Sequence, residues 1–312
     1  MNSIAASAVA DIPVICGPTA AGKSVIAMAV AERVGASIIS ADSRQVYRGF
    51  DIGTAKPTPE ERRGIPHFGI DVAGPGDRYT AAHWAGDAHD WLDDVRSTGR
   101  RPLVVGGTGF YLRALFEPLF EEPGIDGFRR DALRRYLASL PADEVGRWCA
   151  TIDPVRAGLG RAQWARAIEV ALLTGRRIST LHGERARAIT LTARYLVVDP
   201  GPSLASMLGR RLDAMLAGGW LDEVRSLAES VPPGARAWTA TGYESLRRVV
   251  QGEQTLQAAR AEVVVRTRQY AKRQRTWFRH QLVGALVTRL DPRSPEAVDR
   301  AVAWFHGEEA QR

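Results

Sequence analysis

Lysine is nearly missing from this chain of 312 residues: Lys23, Lys56 and Lys272 stand against 39 arginines. Cysteine is scarcer still. Cys16 and Cys149 form no C-x-x-C pair and have no histidine at ligand spacing, which argues against a disulfide framework and a zinc site. No apolar run approaches the length of a membrane-spanning helix, and Met1–Ser7 lack the basic region of a signal peptide; the expected location is the cytoplasm, with no membrane partner. The arginine excess gives a net charge of +7 and a pI near 9.8. That suits a partner rich in phosphate, although solvated basic faces and a GC-rich coding sequence also yield arginine. With 45% apolar residues the chain can bury a full core, and one sizeable domain with a smaller insertion is expected, working as a monomer.

What is present begins at Gly17-Pro18-Thr19-Ala20-Ala21-Gly22-Lys23-Ser24, a complete G-x-x-x-x-G-K-[ST] phosphate loop. The apolar run Ile12–Cys16 before it reads as a strand, and Val25–Glu32 after it reads as a helix. Glycines let the loop turn its N–H groups inward, and the helix start adds its positive dipole end. Lys23 supplies a point charge, and the Ser24 hydroxyl can ligate a magnesium ion carried by phosphates. With so few lysines, a chance match is improbable. The loop announces a bound phosphate or diphosphate without naming its owner.

Two further strands end on the same rim of a parallel sheet, with a loop between them. Ser37–Ser43 is a short β-branched run closing on Asp42, which reads as a general base or magnesium partner or, with Ser43, as a helix cap; the strand end favours the site. Tyr47–Pro59 is rich in glycine and proline and reads as an ordered loop, where Lys56 either reaches the phosphates or lies on the surface. Pro102–Val105 is a buried strand followed by Gly106-Gly107-Thr108-Gly109, a tight turn or a backbone that must approach a ligand with Thr108 as hydroxyl donor. That strand ends in glycine where nucleotide-hydrolysing enzymes often carry an acidic magnesium ligand, which weakens an ATPase reading. Between them, residues 79–98 carry Trp84 and Trp91 at helical spacing, as core rather than ligand platform.

The predicted fold is α/β: a P-loop type of parallel sheet flanked by helices, with a helical insertion and a basic C-terminal helical segment. Residues 10–120 form the first part of the core and 121–187 the arginine-rich insertion. Residues 188–285 complete the core, and 286–312 remain as a short polar tail. Within the third part, residues 255–281 carry seven cations against Glu262, with Val263, Tyr270 and Trp277 as an apolar stripe. One face should pack while the other offers a cationic ridge to a nucleic-acid backbone.

Five stretches, in order, resemble the tRNA dimethylallyltransferase (isopentenyltransferase) family: the phosphate loop, Ile39–Tyr47, Asp51–Pro57, Gly106–Tyr111 and Ala271–Trp277. The resemblance implies transfer of a dimethylallyl group from its diphosphate to N6 of adenosine 37 in tRNAs reading codons that begin with U, with Mg2+. By it, Lys23, Thr19 and Arg211 act on the diphosphate, residues 17–24 hold it, and Asp42 is the base. Asp42, Ser43, Arg44, Gln45, Thr108, Arg130, Gln163, Arg166, Lys272, Arg273 and Gln274 are the implied contacts to the tRNA anticodon stem-loop. Gln163 replaces an arginine usual in the family, and Gly201 and Met207 replace two more. The other readings are an adenylate prenyltransferase, which would need no extended cationic track, a P-loop kinase, and a non-catalytic RNA-binding protein. Prenylation of AMP, turnover of ATP, or tRNA binding without transfer would mark each.

Overall fold

The computed structural model describes residues 10–117, 126–183, 191–282 and 286–308; the expected ends of the insertion and the N-terminal segment lie outside the described residues. Along the chain come β1 (Ala10–Cys16), α1 (Lys23–Val34), β2 (Ala36–Ser40), the single turn α2 (Pro59–Arg62) and β3 (His67–Phe68). Then follow α3 (Ala81–Ser97), β4 (Arg101–Gly106) and α4 (Gly109–Phe116). Four helices make the insertion: α5 (Gly127–Ser139), α6 (Ala142–Ile152), α7 (Arg161–Thr174) and α8 (Ile178–Gly183). The remainder is β5 (Leu191–Val198), α9 (Leu204–Ala217), α10 (Trp220–Ser230), α11 (Tyr243–Val250), α12 (Leu256–His280), β6 (Leu286–Leu290) and α13 (Ala297–His306).

All six strands form one parallel sheet in the order β3-β2-β4-β1-β5-β6, so the α/β expectation holds. Val14, Ile15 and Cys16 of β1 are wholly buried, as the central strand of a sheet covered on both faces requires. β1 lies where the chain turns outward in both directions, toward β4 and β2 on one side and β5 and β6 on the other. Ligands of open parallel sheets gather beyond the carboxyl end of such a strand. Two edge strands, β3 and β6, have no counterpart among the apolar runs of the sequence. The polar C-terminal stretch is not a tail either: β6 pairs with β5, and Ala297, Ala301, Trp304 and Phe305 of α13 are buried with Ile26 and Val30 of α1.

Local chemistry sets the helix starts. Thr80, Asp126 and Thr255 each accept an N–H from three residues on, and Thr58 with Glu61 makes a capping box. On the face away from α1, Trp84 is buried, stacks on Tyr111 at 5.1 Å and donates its indole N–H to the Ser40 carbonyl at 2.9 Å. The tryptophan is core, as its spacing predicts.

The chain divides into two compact units, 1–116 with 190–312, and 117–189. The second packs Leu137, Val145, Cys149, Ile168 and Val170 in its own core. Inside it, buried Glu169 receives three arginines: Arg130 at 2.8 Å, Arg134 at 2.8 Å and Arg166 at 2.5 Å. Arg130 is 5% exposed. Its guanidinium faces Glu169, so the contact with tRNA expected of it would first have to break a buried pair. Glu169→Gln is expected to destabilise this unit by about 3 kcal/mol, because a buried guanidinium loses its counter-charge. Faster hydrogen exchange in α5 and α7 would report it, and unchanged exchange would refute it. Both cysteines are free and buried. Among the described residues no helix is long and apolar enough to cross a membrane.

Candidate active site

The phosphate loop runs from the end of β1 into α1. At Gly17 the backbone sits at φ +146, and a Cβ there would lie 2.2 Å from the Val198 carbonyl oxygen, so only glycine lets the loop leave the sheet this closely. Lys23 starts α1 and folds back to donate to the Pro18 carbonyl at 2.8 Å. Burial is the main force lowering its pKa, to about 8, and the Arg211 charge lowers it further against the pull of Asp42. Cys16, beneath the loop, is pushed up to about 12 by burial and stays an inert thiol.

A cavity of about 160 Å3 opens above this loop. Its walls bring together Thr19, Lys23, Ser24, Asp42, Arg44, Gln45, Arg211 and Gln274, all expected from sequence. Arg211 reaches in from α9, half-buried, and makes no hydrogen bond or ion pair among the described residues. Burial lowers its pKa while the Asp42 charge opposes that shift. Lys23, Arg44 and Arg211 thus face one carboxylate in a partly desolvated cleft, which leaves a surplus positive charge for an anion. Leu208, Leu212, Met215 and Val263 give one part of the lining an apolar character, while Thr54, His67, Thr241 and Thr267 keep the rest polar.

Asp42 stands at the end of β2. Its Oδ1 accepts the Arg44 N–H at 2.8 Å, an Asx turn rather than a helix cap, since turns and no helix follow. The other carboxylate oxygen has no hydrogen-bonded protein partner among the described residues. Ser43 lies just behind: its N–H donates to Thr108 Oγ1 at 3.0 Å. Arg44 donates to Thr239 at 2.8 Å. Gln45 is turned inward, donating to the Ala55 carbonyl at 3.0 Å and accepting from Ser40 at 3.0 Å, so its amide ties two loops together.

Other residues differ from expectation. Lys56 is neither on the phosphates nor on the surface: it is buried against Asp51, Asp71 at 2.6 Å and the Tyr47 carbonyl at 2.8 Å, stapling the loop it stands in. The glycines at the end of β4 line the cleft and also admit protein side chains. A Cβ on Gly107 would lie 2.5 Å from Gln274 Nε2, and one on Gly109 2.3 Å from the Trp277 ring. Gln274 is itself buried, not presented on the ridge of α12. That ridge is also thinner than its sequence suggests, because Arg260 pairs with Asp213, Arg266 with Glu262 and Arg275 with Asp199. Arg268, Lys272, Arg273 and Arg279 remain exposed. Gln163 is exposed and Arg166 half-buried in the insertion.

The sequence reading misses three contributors. Tyr270 lines the cleft, its phenol pushed up to about 12 chiefly by burial. Tyr243 donates to Glu223 at 2.6 Å and accepts the Gly53 N–H at 3.1 Å, while Glu223 accepts the Ile52 N–H at 2.7 Å. This pair holds the loop that lines the cleft at Gly53, Thr54 and Ala55. No local pattern betrays them, since the partners lie 171 and 190 residues apart.

The IPP transferase family profile matches residues 45–281, and that of the isopentenyl transferases matches residues 10–72. A tRNA dimethylallyltransferase of Gloeobacter violaceus is 41% identical over 273 residues, covering 86% of this chain and 89% of its own. One from Anaeromyxobacter sp. (strain K) is 39% identical over 295 residues, 93% of this chain and 96% of its own. Among solved structures, the full-length tRNA isopentenylpyrophosphate transferase of Bacillus halodurans superposes with a TM-score of 0.68 at 30% identity, covering 96% of each chain. With the family profile spanning most of the chain and relatives near 40% identity over nearly its whole length, this protein belongs to the IPP transferase family.

Proposed function

We propose that the protein transfers a dimethylallyl group from dimethylallyl diphosphate to N6 of adenosine 37, beside the anticodon of tRNAs reading codons that begin with U, and releases diphosphate. The reading places it in the cytoplasm as a monomer. The observation that carries it is the unpartnered Arg211 beside Lys23 and Asp42: an anion site and a proton acceptor in one half-apolar cleft.

In the reaction, the N6 lone pair attacks C1 of the donor as the C1–O bond breaks and its electron pair leaves on the diphosphate. Asp42 takes the N6 proton, because an exocyclic amine attacks poorly unless a base relieves its developing charge. Lys23, Arg211 and the loop N–H groups stabilise the charge gathering on the leaving group. Leu208, Leu212, Met215 and Val263 give the five-carbon chain an apolar wall. Magnesium fits the donor set: the Ser24 hydroxyl and Asp42 offer hard oxygens, while no cluster of three ligating side chains occurs among the described residues. A Mg2+ ion bound largely through water and phosphate oxygens needs no more, and it would neutralise diphosphate charge.

The target base has to leave its stack to reach Asp42, and exposed cations would hold the backbone around it. Arg268, Lys272 and Arg273 on α12 are those cations; on the insertion the candidates are the exposed amide of Gln163 and the half-buried Arg166, which pairs with Glu169. Replacing the first three with serine is expected to reduce the salt slope of tRNA binding by about three. An unchanged slope would make that face merely solvated. The activity itself is tested by label transfer from dimethylallyl diphosphate, with magnesium, to unmodified tRNA carrying A36-A37-A38, beside AMP and an ATP control. Label at N6 of the tRNA supports the reading; label on AMP alone, or ATP hydrolysis alone, overturns it.

A further inference from the structure

Gln274 joins two parts of the molecule that the reaction needs at once. It lies 255 residues from Thr19 in sequence, yet its Oε1 accepts the Thr19 N–H at 2.8 Å. Its Nε2 donates to the Gly107 carbonyl at 2.8 Å. The amide orientation is fixed by its partners, because a main-chain N–H must meet the oxygen and a main-chain carbonyl must meet the nitrogen. The side chain is 7% exposed, and the missing Cβ of Gly107 is what admits it. Lys23 is bonded to Pro18, the neighbour of Thr19, so the same turn of loop carries both the ammonium and the amide contact.

Resting on the proposed transfer, we propose that Gln274 is the positioning residue of the phosphate loop. Its carboxamide pins the start of that loop to the end of β4. It thereby fixes the direction of the N–H groups and of Lys23 that receive the donor diphosphate. Gln274 belongs to α12, whose outer face carries Arg268, Lys272 and Arg273, so one rigid helix presents cations outward and sets the donor site inward.

Two variants test this. Gln274→Met keeps the volume and loses both hydrogen bonds; the KM for dimethylallyl diphosphate is expected to rise about tenfold while the KM for tRNA stays within twofold. Gln274→Glu keeps the acceptor for Thr19, but its ionised form meets the Gly107 carbonyl with a second acceptor. Protonated, it regains the donor and the shape of the native amide. The ratio of its donor KM to that of the wild-type protein should therefore fall toward one as pH drops from 8 to 5.5. A donor KM unchanged in the methionine variant, or a ratio for the glutamate variant that is flat across this range, overturns the proposal. Wild-type protein run alongside separates the two claims. If it transfers nothing to tRNA, calorimetric binding of inorganic diphosphate with magnesium to the same variants still reads the positioning role, with the same expected ratios.

Discussion

Asp42→Asn is expected to lower kcat for prenyl transfer by about 10²–10⁴-fold, the usual worth of a positioned general base. Asparagine is chosen because its oxygen can still accept the Arg44 N–H, so the Asx turn and the loop behind it survive. Loss of activity then reports the missing proton acceptor and not a collapsed turn. The two substrates should respond differently. Asp42 is the one acid whose charge both Lys23 and Arg211 feel, so removing it leaves the cleft more positive, and the KM for the diphosphate should hold or fall. Affinity for tRNA should change little. A normal kcat would remove Asp42 as the base. A donor KM that rises with kcat preserved would instead assign Asp42 to the magnesium ion. Asp42→Ala, which also breaks the turn, should be worse on both counts.

How much of this site was legible in the sequence depends on how far apart its partners lie. The phosphate loop is a contiguous motif, and its strand and helix flanks announce themselves by apolar runs within a few residues. Asp42 follows from one rule about strand ends. The helix expected over 255–281 stands at Leu256–His280 with Thr255 as its cap, because a long periodic stretch with a clear N-terminal residue is the most local kind of information. Lys56 escapes a local reading for the opposite reason. Nothing next to a lysine says that Asp71 and a carbonyl will close over it, and burial is decided by the folded loop. The glycines after β4 correctly announced a close approach, but the approaching group was Gln274, 167 residues away. β3 and β6 give no apolar run because edge strands are short and half-exposed, and β6 carries Thr288 and Arg289 among its five residues. Arginines on α12 looked alike in sequence, and only the acids opposite them, from α9 and the turn after β5, divide structural from exposed cations.

Lys23 and Arg211 together should account for most of the stabilisation of the leaving diphosphate. Losing one such preorganised donor costs about 10²–10³ in kcat. Lys23→Met or Arg211→Gln is expected to fall in that range, and the double variant somewhat short of the product, since both cations act on one charge. The pH dependence separates them. Arg211 stays protonated throughout, whereas Lys23 in the free protein loses its proton near pH 8. A diphosphate prefers the charged amine, so donor binding takes up a proton above that pH, and affinity should fall as pH rises through about 8, approaching tenfold per unit. The protein alone moves the other way. Because the unfolded chain holds this proton up to 10.5 and the folded one only to about 8, the lysine makes stability rise with pH across that window. Calorimetry of diphosphate binding at pH 7, 8.5 and 9.5 measures the first effect directly, and Lys23→Met should bind weakly with no such alkaline loss. An equal alkaline loss in that variant would place the titrating group elsewhere and leave Arg211 as the principal anion holder of the cleft.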